Sequence, residues 1–465
     1  MKTILEKYWW LSIVVIITFL AFYLAKDDPK KYLEFATWGT LEELESYSKL
    51  VDRYNSQQPP YPVRLIHISS EYEQKLLVMA AAKNAPDVIK GYNGMLRNFY
   101  RNGIIADLTP YIQSDPEFDL NLYYPSLVKM GQIDSHQIAI PIVFSTLVLY
   151  YNKNHFDMAG IHYPESTWTW DDFLRAAKRL TKYDQSGQII RCGGFIEAFR
   201  PVLVFQWGGH QFNATRDSSI MASQQSAESL KFFLDLFQKH CVSYDPAAKG
   251  FRMDEIFSSE RTSMVINGRW ATPWFVKTMR EGSFDVAPVP HKKQRMTGLA
   301  AHFIVMSAAS KKKAAAWDFM KFLVSYEAQK LTSEDGNNIP AMKSVAESDL
   351  FLKNKNTPNI KNQVFLDELP RAVEWMFEEC AYVSQSLMLR RFDILREKAS
   401  TGLLTPMQAL QDYDAALNRV IALAKQKKLS RPFVGSALFF VCVASVSILS
   451  GILTRKFIFS KVRNL

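Results

Sequence analysis

The sequence predicts an α/β fold, a parallel sheet covered by helices, set between two membrane-spanning ends. Three observations carry that expectation. Strand-like and helix-like segments alternate through the middle of the 465 residues, long uncharged apolar runs occur only near the two ends, and the formal charge of +10 is confined to those ends. With 48% hydrophobic, 22% charged and 13% aromatic residues the chain can build a large core, which excludes a disordered tail, a disulfide scaffold or collagen. Residues 1–31 hold five Lys/Arg and three Asp/Glu, residues 425–465 hold eight Lys/Arg and no acid, and residues 32–424 are balanced at 43 of each. The basicity therefore flanks apolar runs, and no nucleic-acid partner is expected.

Tyr8 to Leu24 is an uncharged run of 17 residues, near the lower limit for spanning a bilayer. Tyr8-Trp9-Trp10 and Tyr23 lie where an interfacial aromatic belt would sit. A cleaved signal peptide is the competing reading, but the run exceeds the usual apolar region and bulky Tyr23 lies close to the best cleavage position, after Ala25. Pro432 to Leu453 is a second uncharged run, 22 residues long, between Lys427, Lys428 and Arg431 on one side and Arg455 and Lys456 on the other. Two spans put both termini on one side of the lipid bilayer and residues 32–424 on the other. Cys442 falls in the second run. Cys192, Cys241 and Cys380 are expected as buried thiols, with a Cys192–Cys241 bridge as the alternative.

In the middle, Leu33 to Trp38 reads as a strand. Leu41 to Tyr54 reads as a helix with Leu44, Tyr47, Leu50 and Val51 on one face. Pro59-Pro60 ends that unit, Val63 to Ile68 is a second strand, Glu71 to Lys83 a second helix, and Ala85 to Ile89 starts a third strand. This β-α-β-α-β rhythm indicates a parallel sheet, in which ligands sit at the carboxyl ends of strands. That rim holds Trp38, the Ser69-Ser70-Glu71-Tyr72 turn, and Gly91-Tyr92-Asn93-Gly94. Thr169 with Asp172 reads as a helix cap. Asn354 to Asn362, rich in Asn and Lys, reads as an exposed loop.

Several motifs in order resemble one known family. They are Ala85-Pro-Asp-Val-Ile89, Gly103-Ile-Ile-Ala-Asp-Leu108, Ile140-Pro-Ile through Leu149-Tyr-Tyr-Asn-Lys153, and Thr169-Trp-Asp-Asp-Phe173. Arg261 to Trp270, Asp285 to Pro290, Ala316 to Leu323 and Ile339-Pro-Ala-Met-Lys343 continue the series. Together they resemble the extracellular solute-binding proteins of the sugar-binding, maltose-binding-like kind, over roughly residues 33–424. The resemblance implies a two-lobed clamshell of the periplasmic-binding-protein type II kind. It implies a first lobe from residues 32–145 and 302–338, and a second from 146–301 and 339–424, flanked by the segments 1–31 and 425–465. Lobes joined by crossing strands imply hinge closure on a small-molecule solute, most simply a carbohydrate.

A sugar presents hydroxyls and flat apolar faces, so its site needs aromatic platforms and fixed polar groups. Trp38, Tyr92, Trp207 and Trp270 fall at strand ends or loops suited to platforms, and the resemblance places a cleft tryptophan at Trp270. Glu71, Asn93, Ser145 and His302 are the polar candidates. Ser145 stands where maltose-type relatives often carry an acid, which argues against maltodextrin itself. Arg390 and Arg391 are weaker donors, with a solvated helix face as the alternative.

No nucleophile elbow, zinc-protease motif, phosphate loop or dinucleotide fingerprint is present, so neither an enzyme nor a cofactor or metal is expected. The expected function is a membrane-anchored receptor facing the periplasm or outer surface, with both termini cytoplasmic. It would serve the inner-membrane permease of an ATP-driven importer. A solute-sensing ectodomain that signals through a membrane partner, or a receptor for a polyamine, amino acid or polyol, stays open as an alternative.

Overall fold

The computed structural model describes residues 31–196, 201–239, 253–374, 376–378, 380 and 382–429. The expected spans at 8–24 and 432–453 lie outside these residues, as does Cys241 and with it the alternative bridge. Among the described residues no helix is long and apolar enough to cross a membrane. Cys380 is a buried thiol as expected, whereas Cys192, also unbridged, is only half-buried.

The first half opens with β1 (Leu33–Thr37), β2 (Val63–His67) and β3 (Val88–Tyr92). Between them run the helices Leu41–Asn55 and Tyr72–Ala81. Both β2 and β3 pair with β1 in parallel. Every residue of β1 is buried, as a central parallel strand covered on both faces requires. A hairpin of β4 (Gln132–Ile133) and β5 (His136–Gln137) precedes β6 (Ile140–Thr146), which runs almost directly into β7 (Val148–Asn152). The second half adds the hairpin β8 (Lys182–Tyr183) and β9 (Ile189–Arg191), then β10 (Met264–Asn267) and β11 (Phe284–Ala287). The chain returns through β12 (Thr297–Met306), β13 (Ile339–Pro340) and β14 (Ala372–Glu374). A seven-stranded sheet results, in the order β13-β6-β12-β3-β1-β2 with β14 beside β12, together with a three-stranded sheet β10-β7-β11.

The two sheets belong to two lobes, and β6–β7 threads both. On β7, Val148 and Tyr150 pack into one hydrophobic cluster while Leu149 and Tyr151 pack into the other. Strand periodicity of two is the cause, since successive side chains point to opposite faces. Val265 and Met264 on β10, and Val286 and Ala287 on β11, divide in the same way. The second cluster is closed by Trp170, Phe173, Leu230, Phe233, Phe392 and Tyr413 from the helices around it.

Two details depart from the sequence expectation. Residues 339–369 are expected in the second lobe, but β13 hydrogen-bonds to β6 in the seven-stranded sheet, and Ile339, Val345, Phe351 and Phe365 pack into the larger cluster, which also takes in Val148, Tyr150 and Val286 of the three-stranded sheet. Only the later part, Phe377 to Ile421, packs into the second cluster. The segment Asn354–Asn362 is a loop with Lys355, Asn356, Pro358, Asn359 and Lys361 exposed, but it is pinned at buried points between them. The Asn354 amide donates to the Ser333 carbonyl at 2.5 Å and the Asn362 amide to that of Phe351 at 3.0 Å. Thr357, 1% exposed, receives Arg269 at 2.7 Å.

The local signals are otherwise expressed as physics predicts. Thr169 caps the helix Trp170–Leu180, its hydroxyl accepting from the Asp172 amide while the Asp172 carboxylate accepts from the Thr169 amide. Trp317, Phe319 and Leu323 form the buried stripe of the helix Lys313–Val324.

Candidate ligand site

The carboxyl rim of the first-lobe sheet is built by three strands. Trp38 follows β1 directly, Tyr92 ends β3, and His302 lies opposite Tyr92 in the β12–β3 register. The Trp38 ring meets Tyr72 at 4.7 Å, His302 at 5.0 Å and Tyr92 at 5.7 Å between centroids. The Tyr72 hydroxyl is shared between the carbonyls of Lys90 (2.7 Å) and Ala36 (3.1 Å), which ties β3 to β1 beneath the aromatic group. The Tyr92 hydroxyl donates to Glu73 at 2.9 Å. Burial pushes the Glu73 carboxyl above its ordinary range, against the opposing pull of that hydrogen bond.

Beneath Trp38 lies a charged pair that sequence reasoning missed. The Lys90 ammonium is fully buried, 4.4 Å from the Trp38 ring centroid and 4.7 Å from that of Tyr47, and it donates to the Trp38 carbonyl at 3.2 Å. Its counter-ion is Glu43, at 3.8 Å. Glu43 also closes a capping box with Thr40 and accepts from Asn338 at 3.1 Å. Burial alone would raise the Glu43 carboxyl, but Lys90, His302 and the hydrogen bonds outweigh it and hold it low. Burial moves the Lys90 ammonium in the opposite sense, below its usual value, with Glu43 partly restoring it. Gly39 turns the chain between Trp38 and the cap with φ of 144°, and a Cβ there would collide with the Glu43 side chain.

His302 completes the group. Its Nδ1 is sealed from solvent and has no hydrogen-bond partner. Burial, then Lys90, push its pKa down to about 3, with Glu43 opposing. Between pH 6.5 and about 3 the unfolded chain therefore takes up a proton that the folded chain refuses, and stability falls on acidification across that window. His302→Phe is expected to retain about 1–3 kcal/mol that the parent loses by pH 4.5, read from urea midpoints at pH 7 and 4.5. The slope that persists belongs in part to His155, held down to about 4 chiefly by burial.

The second lobe contributes Trp270. It stands in the short turn Arg269–Ala271 after β10 and packs against both hydrophobic clusters. Three side chains pin that turn. The Ser145 hydroxyl accepts from the Arg269 amide at 2.7 Å, the Tyr150 hydroxyl donates to the Gly268 carbonyl at 3.0 Å, and the Asn267 carboxamide accepts from the Gly268 amide at 2.8 Å. A Cβ on Gly268 would strike the Trp270 ring. Gly268→Ala is accordingly expected to cost about 1–3 kcal/mol in a thermal melt and to displace the indole. Across the lobes, Gln385 from the helix Gln385–Ser400 approaches Gly94 so closely that a Cβ there would also collide.

The structure thus gathers Trp38, Tyr92 and His302, and brings Trp270 between the lobes. Asn93 is buried at the first-lobe rim, 5% exposed, at the start of the helix Asn93–Arg101. Glu71 is exposed, in a left-handed conformation with φ of 51°, and makes no cap bond. Ser145 is 1% exposed: its hydroxyl supports the Trp270 turn and donates to the Thr146 carbonyl at 3.0 Å. Trp207 is 4% exposed, tilted against Phe232 at 4.9 Å within the second-lobe core, because the whole helix Pro201–Trp207 is buried. Arg390 and Arg391 lie on an exposed helix face. Lys90 and Glu43 were missed although each left a signal, a lysine inside an apolar strand and a Thr40-x-x-Glu43 box.

This geometry agrees with what similarity shows. Residues 38–330 match the profile of bacterial extracellular solute-binding proteins. The chain belongs to that family. Its members capture solutes and are not enzymes. The galactooligosaccharide-binding protein of Bacillus subtilis (strain 168) is 20% identical over 404 residues, covering 82% of this chain and 88% of the relative. The arabinooligosaccharide-binding protein of Halalkalibacterium halodurans is 24% identical over 225 residues, covering 47% of this chain and 48% of the relative. Among solved structures, an ABC substrate-binding protein of Listeria monocytogenes in complex with cycloalternan superposes with a TM-score of 0.76 at 24% identity. That superposition covers 84% of this chain and 99% of the other, and it establishes the two-lobed fold of this solute-binding protein.

Proposed function

We propose that this solute-binding protein is a membrane-anchored extracytoplasmic receptor that captures a sugar or oligosaccharide between its lobes. It hands the solute to the permease of an ATP-driven importer. The observation that carries the reading is the aromatic group of Trp38, Tyr92 and His302 on one lobe, with Trp270 set between the two cores. Flat rings suit the apolar faces of a pyranose. The family membership and the names of its oligosaccharide-binding relatives support the same solute class. The uncharged runs at 8–24 and 432–453 support anchoring, with the lobes outside the cell and both ends inside.

Ligand-induced stabilisation tests the solute class. The full chain in detergent is melted with mono- and oligosaccharides, polyols, amino acids and polyamines. A cognate sugar at a hundredfold excess over its Kd adds about 2.7 kcal/mol to the folded state. Stabilisation by a polyamine or an amino acid alone would sink the carbohydrate reading.

A further inference from the structure

The edge of the first lobe where the chain enters β1 carries a group of aromatic and basic side chains that solute capture does not use. The Leu33 amide donates to the Pro62 carbonyl at 2.9 Å, which brings Tyr32 beside the turn at Tyr61 and Pro62. Arg64 lies 5.6 Å from the Tyr32 ring centroid and donates to its hydroxyl at 3.3 Å. Lys312 donates to the Tyr32 carbonyl at 2.8 Å and stands 5.7 Å from the Tyr61 ring centroid. Asp87, 3.6 Å from Lys312, is 8% exposed and also holds the Glu34 amide and the Ser310 hydroxyl, so it presents little negative charge outward.

Around this centre Lys31, Lys311 and Lys313 are exposed, and so are Tyr61 and the Arg64 that Tyr32 engages. Lys311 and Lys313 make no ion pair with any described residue. Tyrosines ringed by lysine and arginine are the composition of a membrane-water interface, where the rings sit at head-group depth and the cations meet lipid phosphate.

The position in the chain names the surface. Seven residues, eight Cα steps, separate Leu24, the end of the first apolar run, from Tyr32, and they include Lys26, Lys30 and Lys31 beside Asp27 and Asp28. At about 3.3 Å per residue the connection reaches at most roughly 26 Å. An anchored chain therefore holds this edge within that distance of the bilayer. We infer that the Tyr32, Tyr61, Arg64 and Lys311–Lys313 edge of the first lobe rests on anionic phospholipid head groups of the membrane that holds the anchor. The contact fixes the lobe's orientation to that membrane. The inference rests on the anchoring proposed above. Each cation at an anionic surface contributes about a fivefold preference for it.

The full chain in lipid nanodiscs tests it, with acetylation of each lysine by an amine-reactive reagent followed by mass spectrometry. Lys311 and Lys313 are expected to react at least threefold more slowly in discs containing phosphatidylglycerol than in phosphatidylcholine discs. Lys398, on the remote helix Gln385–Ser400, serves as the internal reference and should not change. Restoring the rates with 0.5 M salt supports the contact, and in a Lys311→Glu/Lys313→Glu chain the slowing of the neighbouring Lys31 by phosphatidylglycerol should be lost. That variant's solute-induced melting shift should equal the parent's, because neither lysine touches the aromatic site. Equal acetylation in both lipids, from a chain that co-elutes with the disc, overturns the head-group contact and leaves anchoring intact. A chain that does not stay with the disc overturns the anchoring and this inference with it.

Discussion

Trp270→Ala is expected to weaken solute binding by roughly thirtyfold or more, the loss of an interfacial anchor of about 2 kcal/mol. The melting temperature should move by only a few degrees. The indole packs only partly into each core, whereas the turn beneath it is held by Ser145, Tyr150 and Asn267, none of which the substitution removes. Titration calorimetry with the best solute from the melting screen gives the affinity. Trp207→Ala is the matched control. Its ring is buried against Phe232, so it should lose about 3–5 kcal/mol of stability while the folded fraction keeps its affinity. Unchanged affinity in Trp270→Ala would remove the interlobe platform from the account.

Glu43→Gln should lose about 3–5 kcal/mol of stability, because it leaves the Lys90 ammonium buried without its counter-ion. Lys90→Met alone should also destabilise, because it leaves the Glu43 carboxylate, 12% exposed, without its counter-ion, whereas changing both partners removes the need for a pair. The double variant is then expected to recover most of what Glu43→Gln lost. Urea denaturation of the four proteins forms a thermodynamic cycle. A Glu43→Gln protein as stable as the parent would mean that Lys90 is neutral in the folded state.

The parallel core of the first lobe was legible because its information is local. Alternating apolar segments, Pro59-Pro60 and the Thr169 cap each dictate structure within a few residues, and each appears where its pattern lies. What escaped is decided at long range. Trp38 and Trp207 are the same residue in similar sequence settings, yet one borders the rim and the other packs against Phe232 from a helix 25 residues away. Residues 339–369 follow β6 because β13 pairs with it, a choice that no periodicity encodes. Asn354–Asn362 looks solvated by composition and is so in its middle, but the carboxamides of Asn354 and Asn362 satisfy buried carbonyls. Lys90 escaped because a charge within a strand is expected to face water, and only the distant Glu43 shows otherwise.

The connection between the lobes has its own consequence. From Gln137 through Asn152 every residue is buried, and this stretch passes from one sheet into the other without an exposed turn. A protease cuts where the backbone opens locally to solvent. Digestion under native conditions should therefore trim surface segments while the two halves stay covalently joined across this passage, even in a molecule whose jaws swing freely.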